Sequence, residues 1–597
     1  MQQLYGSGHE FAYLSERSIC EFSHGSRCYS QLNSNAPSLR TIILVTEKTD
    51  SQKKLRAHED DRADIDTQDK LLRVAWWVLA VAVLGLSVTV RIRLLGIPLE
   101  RDEGEYAYGG QLLLQGIPPY KLAYSMKFPG TYVAYAIAMF LFGQTITAIH
   151  LGLLLVNSAT SVLIFFVGKR LLNSTVGIAA ASNYALLSLS PSVLGLAAHA
   201  THFVVLPVLG GAFLLLNQQN RLGVGRPFVS GLLMGLGLVM KQPALFFVLF
   251  GASYLFLGDL RAGLVLGKAI LRNLVFGVGA ATPLLITFLS LYYTGVFAKF
   301  WFWTIHYARE YGTLVSISEA PHIFIQSVGE AIGPNRSLWI VAGVVLLTCP
   351  FNRSTGRSTG FLPGLFISSI LALCSGFYFR SHYFILLLPA VALFAGVAIN
   401  NLSSVLRRQI TAVRFFPLLL LASCAGFLVF AQRDLFFLLS PIEASHTIYA
   451  GNPFPETIKV AEYVRDHTDP SDTIAVGGSE PQIYFYSHRH SATGYIYTYP
   501  LMEAQRYARQ MQSEMIHEIE SAQPKYLISI TIDTSWLHSP RSENLIFEWA
   551  QRYIADNYVP VGFVNIIAPN RVDYYFDDIP QKVPELGEFI LIYQRKP

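Results

Sequence analysis

The chain has 597 residues, of which 52% are hydrophobic and 14% charged, and its formal net charge is +5. A soluble domain has about a quarter of its residues charged, so this composition excludes an ordinary soluble protein and indicates a membrane protein. The basic residues are spread over short loops between apolar runs, which argues against nucleic-acid binding. The five cysteines are far apart and indicate neither a disulfide framework nor a Cys-x-x-Cys metal site.

The first segment of the chain, residues 1–70, is polar and rich in Ser, Asp, Lys and Arg. It lacks the apolar core and the small-residue cleavage site of a signal peptide. We expect a disordered cytoplasmic tail, although an over-extended start codon would give the same pattern, because no helical or strand periodicity persists in it. The segment indicates no function.

Residues 71–435 predict an α-helical polytopic membrane domain. A spanning helix needs about 20 mostly apolar residues, and this part of the chain contains about eleven such runs. They lie near 75–95, 147–168, 175–193, 202–217, 228–257 (two, broken at Lys241-Gln242-Pro243), 272–294, 337–350, 361–377, 383–399 and 415–431.

The loops between these runs predict the orientation, because Lys and Arg are enriched in cytoplasmic loops. Every second loop is basic, as Lys169-Arg170, Arg221 with Arg226, Arg261 with Lys268 and Arg272, Arg353 with Arg357, and Arg407-Arg408 with Arg414. We expect these loops inside, and the intervening loops together with the segment from residue 440 outside. For the first loop (96–146) to be external as well, the short run Phe128–Gly143 must be a re-entrant or interfacial helix.

Residues 440–597 have a different character and predict a soluble α/β domain. Helical patterns alternate with short apolar strands, which is typical of α/β layers. The predicted helices are Glu456–His467, 502–521 and 543–556, and the predicted strands are Thr473–Val476, Tyr526–Ile530, 559–566 and 588–594. Gly477-Gly478 follows a strand but lacks the GxGxxG spacing, so a helix-positioning turn is favoured over a nucleotide site.

The first loop contains the most informative residues, since Asp102, Glu103 and Glu105 lie just after the first apolar run. One interpretation is a solvated helix N-terminus, where the helix dipole favours acidic residues. The other is a carboxylate general base at the membrane surface. Adjacent residues point in different directions on a helix, so Asp102 and Glu103 are not expected to share a role. One would face a site while the other fixes the loop.

The rest of this loop predicts the cover of a cavity at the membrane surface. Tyr106 lies in a short interfacial helix, and prolines before Tyr120 end that helix. Lys127 precedes the predicted re-entrant run. A lysine at this position either snorkels toward water or binds a lipid phosphate as a point charge, and the residues alone favour neither interpretation.

Together, Asp102-Glu103, Pro118-Pro119-Tyr120 and the segment 127–132 (Lys-Phe-Pro-Gly-Thr-Tyr) resemble the start of the C-type membrane glycosyltransferases. The chain is most similar to the group of protein O-mannosyltransferases, aminoarabinose transferases and rhizobial lipopolysaccharide glycosyltransferases. The resemblance covers about residues 75–431 and extends to the predicted topology. It implies Asp102 as catalytic base with Glu103 beside it.

The resemblance also implies a donor phosphate site. Lys127 matches a Lys-Pro-type motif that helps to bind the phosphate, although Phe128 intervenes before Pro129. Arg380, followed by His382 and Tyr383, resembles the basic and aromatic motif that enters a late span. Where the family often has Arg and Asp between its third and fourth spans, this chain has Ala198-His199-Ala200-Thr201-His202. That difference bears on which substrate is used.

Other polar residues complete the predicted cavity, which comprises Glu105, Tyr106, Tyr120, His199, His202, His306 and His382. His199 and His202 would share a helical face; a metal is conceivable, but no third ligand is identifiable and polar cavity lining is favoured. Lys241, in the break between two apolar runs, is costly unless paired or solvated, and donor phosphate binding is the functional alternative. The aromatic residues around His306 indicate an interface belt more than a sugar-stacking surface.

The resulting hypothesis is an inverting glycosyltransferase of the plasma (inner) membrane, with its site and its C-terminal domain on the periplasmic, extracytoplasmic side. The expected partners are a polyprenyl-phosphate sugar donor, a lipid, glycan or protein acceptor, and membrane lipids. No cofactor is firmly indicated, and a divalent cation stays open. The rival classes are a lipid or solute transporter or flippase, which also carries charges at helix breaks, and a receptor whose C-terminal domain binds ligand.

Overall fold

The computed structural model describes residues 67–216, 223–333, 336–348, 360–406 and 411–597. Most of the predicted tail therefore lies outside the described residues, but residues 67–70 are helical. The chain from Leu72 to Pro597 forms one compact unit. Basic residues of the predicted inside loops that lie outside the described residues are Arg221, Arg353, Arg357, Arg407 and Arg408.

The part before residue 440 is helical. Its α-helices are α1 (Thr67–Arg93), α2 (Arg101–Leu114), α3 (Gly130–Phe142), α4 (Ile146–Leu171), α5 (Ser174–Leu187), α6 (Ala200–Leu216), α7 (Gly225–Met240), α8 (Leu245–Arg261), α9 (Leu266–Tyr293), α10 (Phe297–Trp301), α11 (Ala308–Tyr311), α12 (Ala320–Ile332), α13 (Arg336–Thr348), α14 (Phe361–Leu373), α15 (Leu388–Leu406) and α16 (Phe416–Ala431). A π-helix (Phe302–Tyr307) joins α10 to α11, and a 3₁₀ turn (Ser381–Leu386) precedes α15.

Among the described helices, six are long and apolar enough to cross a membrane: α1, α4, α8 with the turn before it, α9, α15, and α16 with the turn before it. Shorter apolar helices are α3, α6, α7 and α14. A helix is present at each predicted apolar run. The predicted number of about eleven crossings is not confirmed, because several of these helices are shorter than a bilayer requires.

The first loop folds around α2, which begins at a capping box. The Glu100 side chain accepts the Glu103 N–H at 2.9 Å, and the Glu103 side chain accepts the Glu100 N–H at 3.3 Å. This arrangement satisfies two N–H groups that a helix start leaves without partners. It also sets the direction in which the first-turn side chains project.

Helix α3 packs closely against the end of α7. A Cβ atom on Gly130 would lie 2.4 Å from the Val239 carbonyl oxygen, so only glycine permits this approach. Thr131 donates its hydroxyl to the Met240 carbonyl at 3.1 Å, and Gln242 donates to the Met126 carbonyl at 2.6 Å. The segments that carry Lys127 and Lys241 are therefore fixed next to each other.

The remaining part of the chain contains a six-stranded sheet in the order β2-β1-β3-β6-β4-β5. Strand β1 pairs in parallel with β2 and with β3. The pairs β3–β6, β4–β6 and β4–β5 are antiparallel. The strands are β1 (Thr473–Gly477), β2 (His490–Ser491), β3 (Tyr526–Ile530), β4 (Tyr558–Ala568), β5 (Arg571–Phe576) and β6 (Glu588–Arg595). The helices are α17 (Pro441–Ile448), α18 (Glu456–Asp466), α19 (Gln482–Ser487), α20 (Tyr499–Met502), α21 (Ala508–Ala522), α22 (Asp533–Trp536) and α23 (Leu545–Asn557).

This sheet domain is built onto α2. The Tyr108 hydroxyl accepts the Ser491 N–H at 2.8 Å, and Leu99 donates its N–H to the Tyr486 hydroxyl at 2.8 Å. A Cβ atom on Gly104 would lie 2.6 Å from the Gln482 nitrogen, so α19 contacts the α2 backbone directly. One apolar core therefore contains residues of both the first loop and the sheet domain.

Candidate active site

Asp102 and Glu103 project to different sides of α2. The Glu103 side chain is fully buried, lies 3.0 Å from His150 and accepts the Ala198 N–H at 2.6 Å. Burial would by itself raise the pKa of the Glu103 carboxyl, but His150 keeps this pKa below its usual range. Glu103 thus connects α2 to α4 and to the segment before α6. Asp102, by contrast, keeps 15% of its side chain exposed.

Lys127 lies between two carboxylates. Its Nζ atom is 2.8 Å from Oδ1 of Asp102 and 2.8 Å from Oε2 of Glu105, and it lies 4.6 Å from the centre of the Tyr106 ring. Burial opposes the charge of this lysine, but Asp102 and Glu105 raise its pKa well above the usual range. Lys127 is therefore positively charged at neutral pH.

Asp102 remains ionised in this environment. Burial acts to raise the pKa of its carboxyl, but Lys127, followed by His382 and His199, lowers this pKa well below its usual range. Lys127 contacts Oδ1, whereas Oδ2 accepts no hydrogen bond from the described part of the chain, so the lone pairs of Oδ2 are free.

Two histidines face the same oxygen. Nδ1 of His199 lies 3.8 Å and Nε2 of His382 lies 3.9 Å from Oδ2 of Asp102, and the two imidazole rings stack with centres 4.1 Å apart. Burial lowers the pKa of His199 to about 4. Burial, and then His199 and Lys241, lowers the pKa of His382 well below its usual range. Both imidazoles are therefore neutral at pH 7.

Two basic side chains near this cluster have no carboxylate partner among the described residues. The ammonium of Lys241 lies 4.0 Å from the centre of the Tyr383 ring and within electrostatic range of Asp102. The guanidinium of Arg380 lies 5.4 Å from the centre of the Tyr378 ring. Burial lowers the pKa of Lys241 to about 7, so this lysine is only about half protonated at neutral pH. Basic side chains without a carboxylate partner are suited to bind an anionic group such as a phosphate.

The sheet domain contributes one wall of the site. The Tyr497 hydroxyl lies 3.4 Å from Oδ1 of Asp102, and the Lys127 ammonium lies 5.6 Å from the centre of the Tyr497 ring. Arg101, next to Asp102, forms a buried ion pair with Glu480 at 2.6 Å. The segment after β1 and the segment before α20 thus reach the acidic end of α2.

Other predicted cavity residues lie at the margin of this cluster or away from it. Tyr120 is buried and donates its hydroxyl to the Lys127 carbonyl at 2.7 Å, so it supports the lysine segment. His202 lies within α6 and contacts Asn157 at 3.3 Å. His306 lies beside Phe302 in the π-helix and lines a shallow hollow with Phe297 and Trp301.

The expectation that His199 and His202 act on one face therefore differs from the structure. His199 meets Asp102 and His382 because the backbone changes conformation just before α6 begins at Ala200. Sequence reasoning also missed Glu100, whose pKa is raised well above its usual range by burial and then by Asp102 and Glu103. Glu100 precedes α2, and Glu103 follows three residues later. This spacing is typical of a capping box and could have identified Glu100.

Comparison with known proteins identifies the fold. No protein-family model and no curated protein matches the sequence. Solved structures of ArnT from Cupriavidus metallidurans do match. The undecaprenyl phosphate complex has a TM-score of 0.51 at 14% identity, over 85% of this chain and 99% of ArnT. The apo state has a TM-score of 0.50 at 15% identity, over 87% of this chain and 98% of ArnT.

An archaeal oligosaccharyltransferase, AglB from Archaeoglobus fulgidus in complex with an inhibitory peptide and a dolichol-phosphate, also aligns. Its TM-score is 0.48 at 12% identity, over 85% of this chain and 75% of AglB. The ArnT likeness, which spans nearly the whole of that enzyme, establishes the architecture. The chain has the fold of the C-type membrane glycosyltransferases.

Proposed function

We propose that this chain is a membrane glycosyltransferase that moves one sugar from a polyprenyl-phosphate donor to a hydroxyl group of a lipid, polysaccharide or protein acceptor, on the external face of the membrane. The observation that carries the proposal is a partly buried, ionised carboxylate, Asp102, beside two basic side chains, Lys241 and Arg380, that lack carboxylate partners among the described residues. Asp102 supplies the base, and Lys241 and Arg380 are suited to bind the donor phosphate.

The likeness to ArnT supports the choice of donor. ArnT has been solved with undecaprenyl phosphate, which is the product that a polyprenyl-phosphate sugar leaves behind. A donor of this kind holds its phosphate at the membrane surface, where the break between α7 and α8 carries Lys241. We therefore assign the phosphate to the space between Lys241 and Arg380.

The proposed reaction is a single in-line displacement. An acceptor hydroxyl is a poor nucleophile until a base removes its proton during attack. Oδ2 of Asp102 accepts that proton while Lys127 holds Oδ1. The acceptor oxygen forms a bond to the anomeric carbon of the sugar as the bond from that carbon to the phosphate oxygen breaks. The anomeric configuration inverts, and polyprenyl phosphate leaves with the electron pair.

The leaving phosphate gains negative charge in this step, so the site must stabilise charge where it develops. Arg380 and Lys241 can both donate charge-assisted hydrogen bonds to phosphate oxygens. Lys127 is committed to Asp102 and Glu105, so we assign it mainly to the carboxylate and only secondarily to the phosphate. Glu103 keeps α2 in place and does not meet the acceptor.

The experiment that tests the proposal is release of polyprenyl phosphate. Purified protein in lipid nanodiscs is incubated with polyprenyl-phosphate sugars that carry different labelled sugars, together with candidate acceptors. Transfer of label and release of free polyprenyl phosphate in equal amounts are expected for at least one donor. Asp102→Asn is the matched control, because it is similar in size and cannot accept the proton.

These measurements distinguish the proposed glycosyltransferase from a transporter or flippase. Such a protein would move a labelled lipid or solute across a proteoliposome membrane and would leave the bond between sugar and phosphate intact. Movement of label without release of polyprenyl phosphate would contradict the glycosyltransferase proposal.

A further inference from the structure

The sheet domain contains a cavity of about 360 Å³ on the side of the sheet that faces α21 and α23. Its floor is formed by Ala475 and Gly477 of β1 and by Leu527 and Ser529 of β3. Its walls come from the two helices and from the segment that follows β3. Ligand cavities in proteins have volumes of about 300–1,000 Å³, so this one has room for a small or slender molecule.

The cavity exists because the floor carries small side chains. Ala475 and Gly477 alternate along β1, and Gly477 pairs with Ser529 of β3. Parallel strands that are covered on both faces usually carry large aliphatic residues. The opposite face of the same two strands follows that rule, with Val476 and Ile528 fully buried. The small residues therefore leave room between the floor and the two helices.

The cavity reaches the carboxyl ends of β1 and β3, where the chain leaves the two strands toward opposite faces of the sheet. The helix after β1 is α19, whose Tyr484 shares a core with Val476. The long helix after β3 is α23, whose Ile546 shares a different core with Leu527. Open α/β sheets bind ligands at such a point, because the diverging connections leave a crevice there.

The interior of the cavity is apolar. It is lined by aliphatic side chains of α21 and α23 and by three aromatic rings, those of Trp536, Phe547 and Trp549. Among the residues that line it, none has a buried side-chain nitrogen or oxygen without a hydrogen-bond partner in the described part of the chain. A sugar or a nucleotide would lose hydrogen bonds to water on entering, which is costly. An alkyl chain has no hydrogen bonds to lose and gains from leaving water.

The polar residues of the lining lie at its solvent side. Thr531, Asp533 and His538 line the cavity and are all exposed. An apolar interior with a polar entrance matches an amphipathic molecule, whose chain enters while its head group stays in water. The domain belongs to the same compact unit as the membrane-crossing helices, so lipids are at hand as a source of such chains.

We propose that this cavity binds one acyl chain, with the head group of the lipid or fatty acid at the entrance formed by Thr531, Asp533 and His538. The site is separate from Asp102 and from the assigned phosphate position, so it goes beyond the proposed function and does not depend on it. A membrane lipid and a free fatty acid both supply an acyl chain, and the experiment distinguishes these two sources.

The test is photolabelling of the full chain in lipid nanodiscs. In one arm the discs contain a phospholipid with a diazirine in one acyl chain, and in the other a free fatty acid carries the same group. Met515 and Ile546 line the cavity and are only 2% and 3% exposed, so a probe must enter to label them. Labelling of both is expected in at least one arm, and that arm identifies the source. Ile286, exposed on α9, reports labelling from the bilayer itself.

A first variant, Gly477→Leu, fills the cavity from its floor. A Cβ atom on Gly477 would lie 3.6 Å from the Ile528 carbonyl oxygen and 3.7 Å from the Trp536 ring, which are ordinary contact distances. Its φ is outside the left-handed region, so a side chain causes no backbone strain. Excluding about two methylene groups of the ligand should lower labelling of Met515 roughly tenfold.

A second variant, Ala550→Leu, fills the cavity from α23 and should lower the same labelling. Ser513→Leu is the matched control, because Ser513 is exposed on α21 and does not line the cavity. Labelling of Ile286 should be the same in all variants. Melting temperatures at or above that of the wild type would show that the lost labelling is not caused by unfolding.

The proposal is overturned if neither arm labels Met515 or Ile546 in the wild type while Ile286 is labelled. It is also overturned if both filled variants are labelled at Met515 as strongly as Ser513→Leu. The wild-type arms decide the matter even where one variant does not fold. No sugar donor is present in these discs, so a failure of sugar transfer would contradict only the proposed function.

Discussion

Arg101 and Glu480 form an ion pair in which the guanidinium Nη2 lies 2.6 Å from the carboxylate Oε1, and the two side chains are 9% and 0% exposed. They are 379 residues apart in sequence. Arg101 also donates Nε–H to the Ser479 carbonyl at 2.6 Å. The pair therefore fixes the start of α2, and with it Asp102, to the turn after β1.

This ion pair makes a prediction about stability. Removing one partner of a buried pair leaves the other charge uncompensated, so Glu480→Gln should cost about 3–5 kcal/mol, while a double variant, Arg101→Met with Glu480→Met, should cost less. Thermal unfolding in detergent checks both. Asp466→Asn is the control, because Asp466 pairs with Arg465 at the surface and exposed pairs contribute little. Equal melting temperatures for Glu480→Gln and the control would show that the Arg101–Glu480 ion pair does not stabilise the fold.

The second prediction concerns the base. Asp102→Asn should lower kcat by roughly 10²–10⁴, because the proton acceptor is lost. Expression and donor KM should stay close to wild type, since Lys127 keeps its ion pair with Glu105. Glu103→Gln should have a milder effect on transfer and a larger effect on stability, since Glu103 is buried against His150. Steady-state kinetics and thermal unfolding of the two variants check the assignment. The reverse ranking in kcat would exchange the two roles.

The third prediction separates the basic residues. Arg380→Ala should raise the donor KM, by roughly 1.5–3 kcal/mol in binding free energy, because a charge-assisted hydrogen bond to phosphate is lost. Lys127→Ala should raise the donor KM and also lower kcat, since Asp102 loses the partner that holds Oδ1. Lys121→Ala, at an exposed position in the same loop, is the control. Unchanged donor kinetics in Lys127→Ala would remove Lys127 from the donor phosphate site.

The fourth prediction is a pH dependence of stability. Burial raises the pKa of Glu503 to about 7, although a hydrogen bond from Tyr307 and the charge of Arg380 act in the opposite direction. Because the folded pKa lies above the unfolded value, this carboxyl stabilises the fold fully below pH ~4.5, and the contribution is lost as pH rises through about 7.

Melting temperatures of the wild type and of Glu503→Gln at several pH values between 5 and 8 test this dependence. The wild type should lose up to ~3 kcal/mol relative to the variant across that range. Curves that stay parallel would show that Glu503 does not titrate there.

The fifth prediction concerns the side of the membrane on which the site lies. Ser471→Cys and Ser513→Cys are both at exposed positions in the sheet domain. In a protein whose five native cysteines have been replaced, each should react with a membrane-impermeant maleimide in intact cells. Ser174→Cys, exposed next to the basic end of α4, should react only after permeabilisation. Ser445 is a poor reporter because it is fully buried. If only Ser174→Cys is labelled from outside, the chain has the opposite orientation in the membrane.

Much of the architecture could be predicted from local patterns. Each predicted apolar run in residues 71–435 contains a helix, and the predicted strand Tyr526–Ile530 has the same bounds in the structure. These patterns are local because apolar length and periodicity depend on neighbouring residues. Strands β2 and β5 were missed. A two-residue strand such as β2 has too few residues to show any period.

The sequence by itself determined the class of protein and the candidate residues of its first loop, because hydrophobic length and clustered charge are visible without a fold. Only the tertiary structure decided which polar residues meet. Tyr497 reaches Asp102 across 395 residues, and His199 finds His382 rather than its neighbour His202. Such contacts arise where separate helices and the sheet domain pack around α2, and no short-range pattern encodes the partner that a buried side chain will find there.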